Sequence, residues 1–114
     1  MSKLSKGFAY AFTGIQIAWK EEMNFRIEIA CAVLAIALGI VLHLSPIEFA
    51  LVISAITCVL TAEAFNTALE QLCDKFQPTH GPHIAKIKDL AAAAVLLAAI
   101  GSAIVGIAIY IPHL

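Results

Sequence analysis

Long stretches without a charged side chain constrain the fold of this sequence more than any other feature. No Asp, Glu, Lys or Arg occurs in the stretches Ile29–Leu44, Phe49–Ala62 and Leu90–Leu114. A helix needs roughly 20 mostly apolar residues to cross the hydrocarbon core of a bilayer. We therefore predict an all-α membrane protein, a single domain over residues 1–114, with transmembrane helices at residues 27–44, 47–69 and 90–112. Pro46 suits the first turn of the second helix, and two prolines and Gly81 predict a loop at Gln77–Pro82.

The composition agrees with burial in lipid. The 114 residues are 61% hydrophobic and 13% charged, whereas a soluble domain is about 45–50% apolar and about 25% charged. A chain this short cannot enclose so much apolar surface in its own core. The net charge of −1 gives no indication of a nucleic-acid partner, and we expect none because the sequence has no basic tract with interleaved aromatic residues.

The basic residues predict the orientation in the membrane. All seven lie before the first predicted span or between the second and the third, at Lys3, Lys6, Lys20, Arg26, Lys75, Lys86 and Lys88. Basic residues accumulate in the cytoplasmic segments of bacterial membrane proteins. We expect a multi-pass protein of the bacterial cytoplasmic membrane, with the N-terminus and residues 70–89 in the cytoplasm.

The first 22 residues are typical of an amphipathic surface helix. Apolar residues recur at helical spacing at Leu4, Phe8, Phe12, Ile15 and Trp19. The opposite face carries Lys3, Lys6, Tyr10, Thr13 and Lys20. Such a helix lies in the membrane interface with its basic residues towards the lipid headgroups. Whether it contributes to an active site or only anchors the chain stays open.

The third predicted span carries small residues every fourth position, at Ala94, Ala98, Ser102 and Gly106. Small residues allow close packing of helices in lipid. Because three helices enclose little interior, we expect an oligomer, although an alanine-rich composition alone would give a similar pattern.

Polar residues on the second span indicate a functional site. Glu63 is followed at offsets of 3, 4, 7 and 11 by Asn66, Thr67, Glu70 and Asp74. These offsets place all five residues on one helical face. A charged group inside a bilayer is costly and marks function by default. Glu22, before the first span, and the pair Lys88–Asp89, at the start of the third, would reach the same membrane surface.

These residue types suit phosphoryl transfer. Mg²⁺ in such sites takes one or two protein carboxylates together with substrate phosphates, which Glu22 and Glu70 would provide. Lys88 would contact phosphate, and Glu63 would act as a base, since a carboxylate removed from water holds a proton more tightly. A proton-coupled carrier would show similar acids, and the sequence contains no P-loop. On spacing alone the reaction stays open.

Three blocks of the sequence resemble one family. Residues 63–74, E-A-F-N-T-A-L-E-Q-L-C-D, resemble the signature E-x-x-N-[ST]-[AS]-[IL]-E-x-x-x-D of the prokaryotic diacylglycerol kinases, a family that includes undecaprenol kinases. Residues 22–28 resemble its segment before the first span. Residues 86–97 resemble the K-D-x-[AG]-[AS]-[AG]-A-V start of its third span.

The resemblance implies a homotrimeric bundle with active sites shared between subunits. It also implies a reaction of ATP and Mg²⁺ with a membrane lipid alcohol. Glu63 would be the catalytic base, and Glu22 and Glu70 would bind the metal. The ATP-binding residues implied are Glu22, Glu28, Asn66, Glu70, Asp74, Lys88 and Asp89.

Two departures from the family pattern limit these expectations. Ala93 stands where many members have glycine, and the segment His80–His83 lies where a tyrosine is common, so the nucleotide preference stays open. We expect His80 and His83 to be solvated loop residues rather than metal ligands. The compact N-terminus and the turn Leu44–Ile47 favour undecaprenol as the acceptor, with diacylglycerol as the alternative.

Overall fold

Four α-helices make up nearly all of the described structure. The computed structural model describes residues 2–76 and 81–114. The helices are α1 (Lys3–Glu21), α2 (Met23–Val41), α3 (Pro46–Phe76) and α4 (Pro82–Tyr110), and a 3-10 turn follows at Ile111–His113. Helices α2, α3 and α4 are each long and apolar enough to cross a membrane. The predicted all-α class with three such helices is confirmed.

The helices do not end where the predicted spans end. Helix α2 begins at Met23, four residues before its span, and α3 continues to Phe76, beyond residue 69. With 31 residues, α3 is about 46 Å long, whereas the hydrocarbon core is about 30 Å thick. The polar half of α3 therefore continues as helix beyond the apolar stretch. The loop predicted at Gln77–Pro82 lies largely outside the described residues.

Helix α2 ends in a Schellman motif. His43 has a positive φ of 59°. Its N–H donates to the Ile40 carbonyl at 3.2 Å, and the N–H of Leu44 donates to the Gly39 carbonyl at 3.1 Å. These two bonds satisfy carbonyls that a helix end otherwise leaves free.

Helix α3 begins with a capping box. The Ser45 hydroxyl accepts from the Glu48 N–H at 3.2 Å, and the Glu48 carboxylate accepts from the Ser45 N–H at 2.9 Å. Pro46 takes the first helical position, as predicted. The second Glu48 oxygen lies 2.9 Å from Nε2 of His113, so the end of the chain is tied to the start of α3.

Helix α3 packs mainly against α4. Ser102 Oγ on α4 donates to the Ala55 carbonyl at 3.0 Å, and the Tyr110 hydroxyl donates to the Ala35 carbonyl on α2. Part of the predicted small-residue seam thus faces α3 of the same chain. At Gly106 no atom lies within 4 Å of where a Cβ would stand. A small apolar core joins the same helices at Leu44, Val52 and Ile109.

Most large apolar side chains remain exposed on the single chain. Examples from each spanning helix are Leu34 at 69%, Phe65 at 67% and Ile104 at 62%. So much exposed apolar surface requires lipid or further protein around it, which agrees with three membrane-spanning helices.

The turn between α2 and α3 yields a test of packing. A Cβ on Gly39 would stand 2.9 Å from Leu44 Cδ1 and 3.0 Å from Phe49 Cε1. We expect Gly39→Ala to lower the free energy of unfolding by about 1–3 kcal/mol through overpacking. Gly101→Ala, where nothing lies within 4 Å, should be neutral or stabilising because alanine favours helix. Thermal unfolding in detergent measures both, and equal effects would contradict the packing described.

Candidate active site

Glu63 is the centre of the candidate site. Its side chain projects from the middle of α3, and at 3% exposure it is the single buried charged residue among residues 2–76 and 81–114. A buried carboxylate is expensive unless something compensates it. No salt bridge reaches Glu63 in the described part of the chain. The position predicted as the catalytic base is thus the one where the fold buries an uncompensated acid.

Three further acids surround Glu63. The carboxylates of Glu22 and Glu70 lie close enough to repel that of Glu63, and Glu63 similarly repels Glu28. The four acids come from three places in the chain: the joint between α1 and α2, the first turns of α2, and α3. The structure therefore brings together Glu22, Glu28, Glu63 and Glu70, which the sequence could only place at the same membrane surface.

Several polar atoms beside these acids are buried without a partner. Asn66 Nδ2 donates to Glu70 Oε1 at 2.9 Å, which orients the amide along the face of α3. Asn66 Oδ1, Thr67 Oγ1 and Glu28 Oε2 are buried and accept or donate no hydrogen bond in the described structure. Buried polar groups are normally paired. This cluster therefore has the capacity to bind a polar ligand.

A salt bridge closes the outer part of the site. Lys88 Nζ on α4 lies 2.6 Å from Asp74 Oδ1 on α3. The pair joins the last turns of α3 to the first turns of α4. The Lys88 side chain is 25% exposed and that of Asp74 62%, so the ammonium stays accessible to a phosphate. Asp89 is exposed beside Lys88, and in the described structure no hydrogen bond joins it to the other predicted residues.

The acids suit a metal ion that takes one or two protein carboxylates and is held otherwise by phosphate oxygens. Within residues 2–76 and 81–114, no group of three His, Cys, Asp or Glu side chains could by itself hold a metal ion. Mg²⁺ seldom uses such a cage and is commonly held by one or two carboxylates plus phosphate oxygens. Glu22 and Glu70, whose carboxylates both lie near that of Glu63, fit that mode. His83 is exposed and belongs to no such group, and His80 lies outside the described residues.

A largely apolar cleft lies within the bundle, and Glu28 is the one of the four acids that lines it. It has a volume of about 550 Å³ and lies between α2, α3 and α4. Glu28 lines it together with apolar side chains and Ser102 and Tyr110. An apolar cleft with a polar group in its wall is typical of a site for an apolar ligand with one polar end.

Sequence reasoning missed the role of Arg26. We used it only to orient the chain, but its Nη1 donates to the Trp19 carbonyl at 2.8 Å and to the Lys20 carbonyl at 3.0 Å. A signal was present, because a basic residue in the first turn of a helix opposes the helix dipole. Such a residue needs a partner outside its own helix to offset this unfavourable interaction.

Comparison with known proteins identifies the family of this chain. The family described as Prokaryotic diacylglycerol kinase matches residues 9–110. A protein named diacylglycerol kinase from Synechocystis is 40% identical over 94% of this chain and 62% of its own length. One named undecaprenol kinase from Bacillus subtilis is 32% identical over 100% of this chain and 93% of its own. Diacylglycerol kinase from Escherichia coli K12 is 30% identical, covering 87% and 81%.

The family match covers α2, α3 and α4 completely and α1 from residue 9 onwards, although this chain spans less than two thirds of the Synechocystis protein. Every residue of the candidate site lies within residues 9–110. The chain belongs to the prokaryotic diacylglycerol kinase family.

Proposed function

We propose that this chain is a membrane lipid kinase that transfers the γ-phosphate of ATP to the hydroxyl of a membrane lipid with the help of Mg²⁺. The observation that carries the proposal is the buried Glu63 with Glu22, Glu28 and Glu70 around it. Family membership supports the reaction, because the matched relatives are named as lipid kinases.

Glu63 is the proposed general base. In the step we propose, it takes the proton of the lipid hydroxyl as that oxygen bonds to the γ-phosphorus, and the bond to ADP breaks. Its burial removes the carboxylate from water, and it lies one helical turn beyond Leu60, which lines the cleft that suits an apolar tail.

The remaining acids and Lys88 are the proposed binding groups for Mg²⁺ and ATP. A bound Mg²⁺ would neutralise phosphate charge, and Glu22 and Glu70 are its proposed ligands. Lys88 is the proposed phosphate contact, oriented by Asp74. Asn66, whose oxygen has no partner, together with Glu28 and Asp89 completes the proposed nucleotide site.

Orientation and assembly are also part of the proposal. With the basic residues inside, the candidate site faces the cytoplasm, where ATP is available. Helix α1 is proposed to lie in the membrane interface, since Phe8 and Phe12 are exposed at 61% and 67%. A homotrimer with shared sites follows from the family resemblance. It is compatible with the exposed apolar surface of the single chain.

The proposed acceptor is undecaprenol. The short turn Leu44–Ile47 and the near-complete coverage of the Bacillus subtilis undecaprenol kinase favour it. The higher identity to the Synechocystis diacylglycerol kinase favours diacylglycerol as the second candidate. Purified protein assayed with each lipid under one set of conditions should give the higher kcat/KM with undecaprenol. A higher value with diacylglycerol would reverse the assignment, and no lipid-dependent ATP turnover would contradict kinase activity.

The role of Glu63 predicts an asymmetric effect of substitution. Glu63→Gln should lower kcat by at least about 10²-fold, the lower end of what a general base contributes. Binding of ATP–Mg²⁺ should stay near wild type. Stability should not fall, because the substitution removes an uncompensated buried charge. Glu48→Gln, in the first turn of α3 and outside the candidate site, is the control and should keep kcat per folded molecule. A near-normal kcat for Glu63→Gln would exclude Glu63 as the general base. A loss of stability with kcat per folded molecule unchanged would exclude it as well.

The metal ligands make a separate prediction. Glu22→Gln and Glu70→Gln should each remove most activity and raise the Mg²⁺ concentration for half-maximal rate. The rise should be at least about 10–100-fold, the effect typical of residues that only support a metal ligand. Glu21→Gln, next to Glu22 in sequence, is the control and should leave the Mg²⁺ titration unchanged. Unaltered titrations in both site variants would rule out the assignment.

A further inference from the structure

The joint between α1 and α2 consists of a single residue, Glu22. It has φ −114° and ψ 109°, an extended conformation between two helices. Its N–H donates to the Ala18 carbonyl at 3.0 Å as the C-cap of α1, and its carbonyl accepts from the Arg26 N–H at 3.3 Å. The angle between the two helices therefore decides where the Glu22 carboxylate points.

Arg26 closes this joint from the α2 side. Its guanidinium reaches back along the chain and donates to the last-turn carbonyls of Trp19 and Lys20, at 2.8 and 3.0 Å. These carbonyls have no partner within α1, and a cation is favoured at a helix C-terminus. The contacts hold Trp19 and Lys20, in the last turn of α1, against Arg26 near the start of α2.

We propose that Arg26 is a positioning residue that fixes the angle between α1 and α2 and thereby holds the Glu22 carboxylate beside Glu63 and Glu70. The inference rests on the metal-binding role proposed for Glu22. The position of Arg26 favours this role, because the first turn of α2 is electrostatically unfavourable for a cation. The bonds to α1 offset that disadvantage.

A second contact supports a fixed joint. Gln71 Nε2 on α3 lies 3.5 Å from Glu21 Oε1, the last residue of α1. Phe25, next to Arg26, is buried at 5% exposure. The end of α1 and the start of α2 are thus each in contact with the rest of the bundle. Arg26 is the residue whose side chain bonds directly across the joint.

The chemistry of arginine matters for this role. Its planar guanidinium presents several donors in fixed directions, whereas a lysine ammonium is a compact point charge on a flexible stem. Arg26→Lys should therefore retain part of the positioning role, because it keeps the positive charge. Arg26→Met should retain none, although it keeps much of the side-chain length. Lys20→Met is the control, because it removes a neighbouring positive charge and leaves the backbone carbonyl that Arg26 contacts.

The first measurement reports on the joint without reference to activity. Trp19 is the single tryptophan of the chain, and its carbonyl accepts the shorter Arg26 bond. Arg26→Met should lower the fluorescence anisotropy of Trp19 and increase its quenching by acrylamide. Arg26→Lys should be intermediate, and Lys20→Met should match wild type. An unchanged Trp19 signal in Arg26→Met would show that Arg26 does not hold the joint.

The second measurement reports on Glu22. Mn²⁺ binding, followed by electron paramagnetic resonance with a non-hydrolysable ATP analogue, should weaken by about 10–100-fold in Arg26→Met, as is typical when a residue that supports a metal ligand is lost. In a kinase assay the same variant should need more Mg²⁺ while the KM for lipid stays constant. If Trp19 becomes more mobile in Arg26→Met while the Mn²⁺ affinity stays unchanged, Arg26 does not position Glu22. Wild-type protein that binds Mn²⁺ but transfers no phosphate would contradict the proposed function and leave the positioning role standing.

Discussion

Hydrocarbon offers no hydrogen bonds, so a helix that crosses it must satisfy its backbone groups within the protein. The spanning helices of this chain do so along their length, and their ends show how the remaining groups are treated. A Schellman motif closes α2 at His43, and a capping box between Ser45 and Glu48 opens α3. The hydroxyls of Ser102 and Tyr110 bond to carbonyls of neighbouring helices. Away from the candidate site, no buried side-chain nitrogen or oxygen of the described residues lacks a hydrogen-bond partner.

The candidate site differs from the rest of the described structure, because several of its buried polar groups have no partner. No salt bridge reaches the buried Glu63 within the described residues, and three further acids lie near it. Asn66, Thr67 and Glu28 each keep a buried atom without a partner. Such an arrangement opposes stability on its own, and proteins retain it where a ligand supplies the missing charge and hydrogen bonds. A divalent cation would supply the missing positive charge, which is why the same residues that destabilise the empty fold suit phosphoryl transfer.

Precision at this site depends on a part of the chain outside the spanning helices. Glu22 belongs to no helix, yet it must meet side chains that project from a rigid α3. A single extended residue would allow many angles between α1 and α2. The guanidinium of Arg26, bonded to the end of α1, restricts those angles. In this view α1 is more than a membrane anchor, because its last turn helps to orient a residue of the proposed active site.

The sequence by itself determined the helical class, the three apolar helices and the polar face of α3, because hydrophobic runs and helical periodicity are local properties. It also indicated the family through residues 63–74 and two shorter blocks. The capping box was legible in Ser45-Pro46-Ile47-Glu48 but was recognised only in part, through the proline.

Tertiary structure alone decided which distant residues meet. Lys88 pairs with Asp74, Glu22 approaches Glu63, and Arg26 contacts Trp19. Each of these contacts depends on the angles at which separate helices pack. Those angles arise from the fit of many side chains at once, so no local pattern in the sequence specifies them.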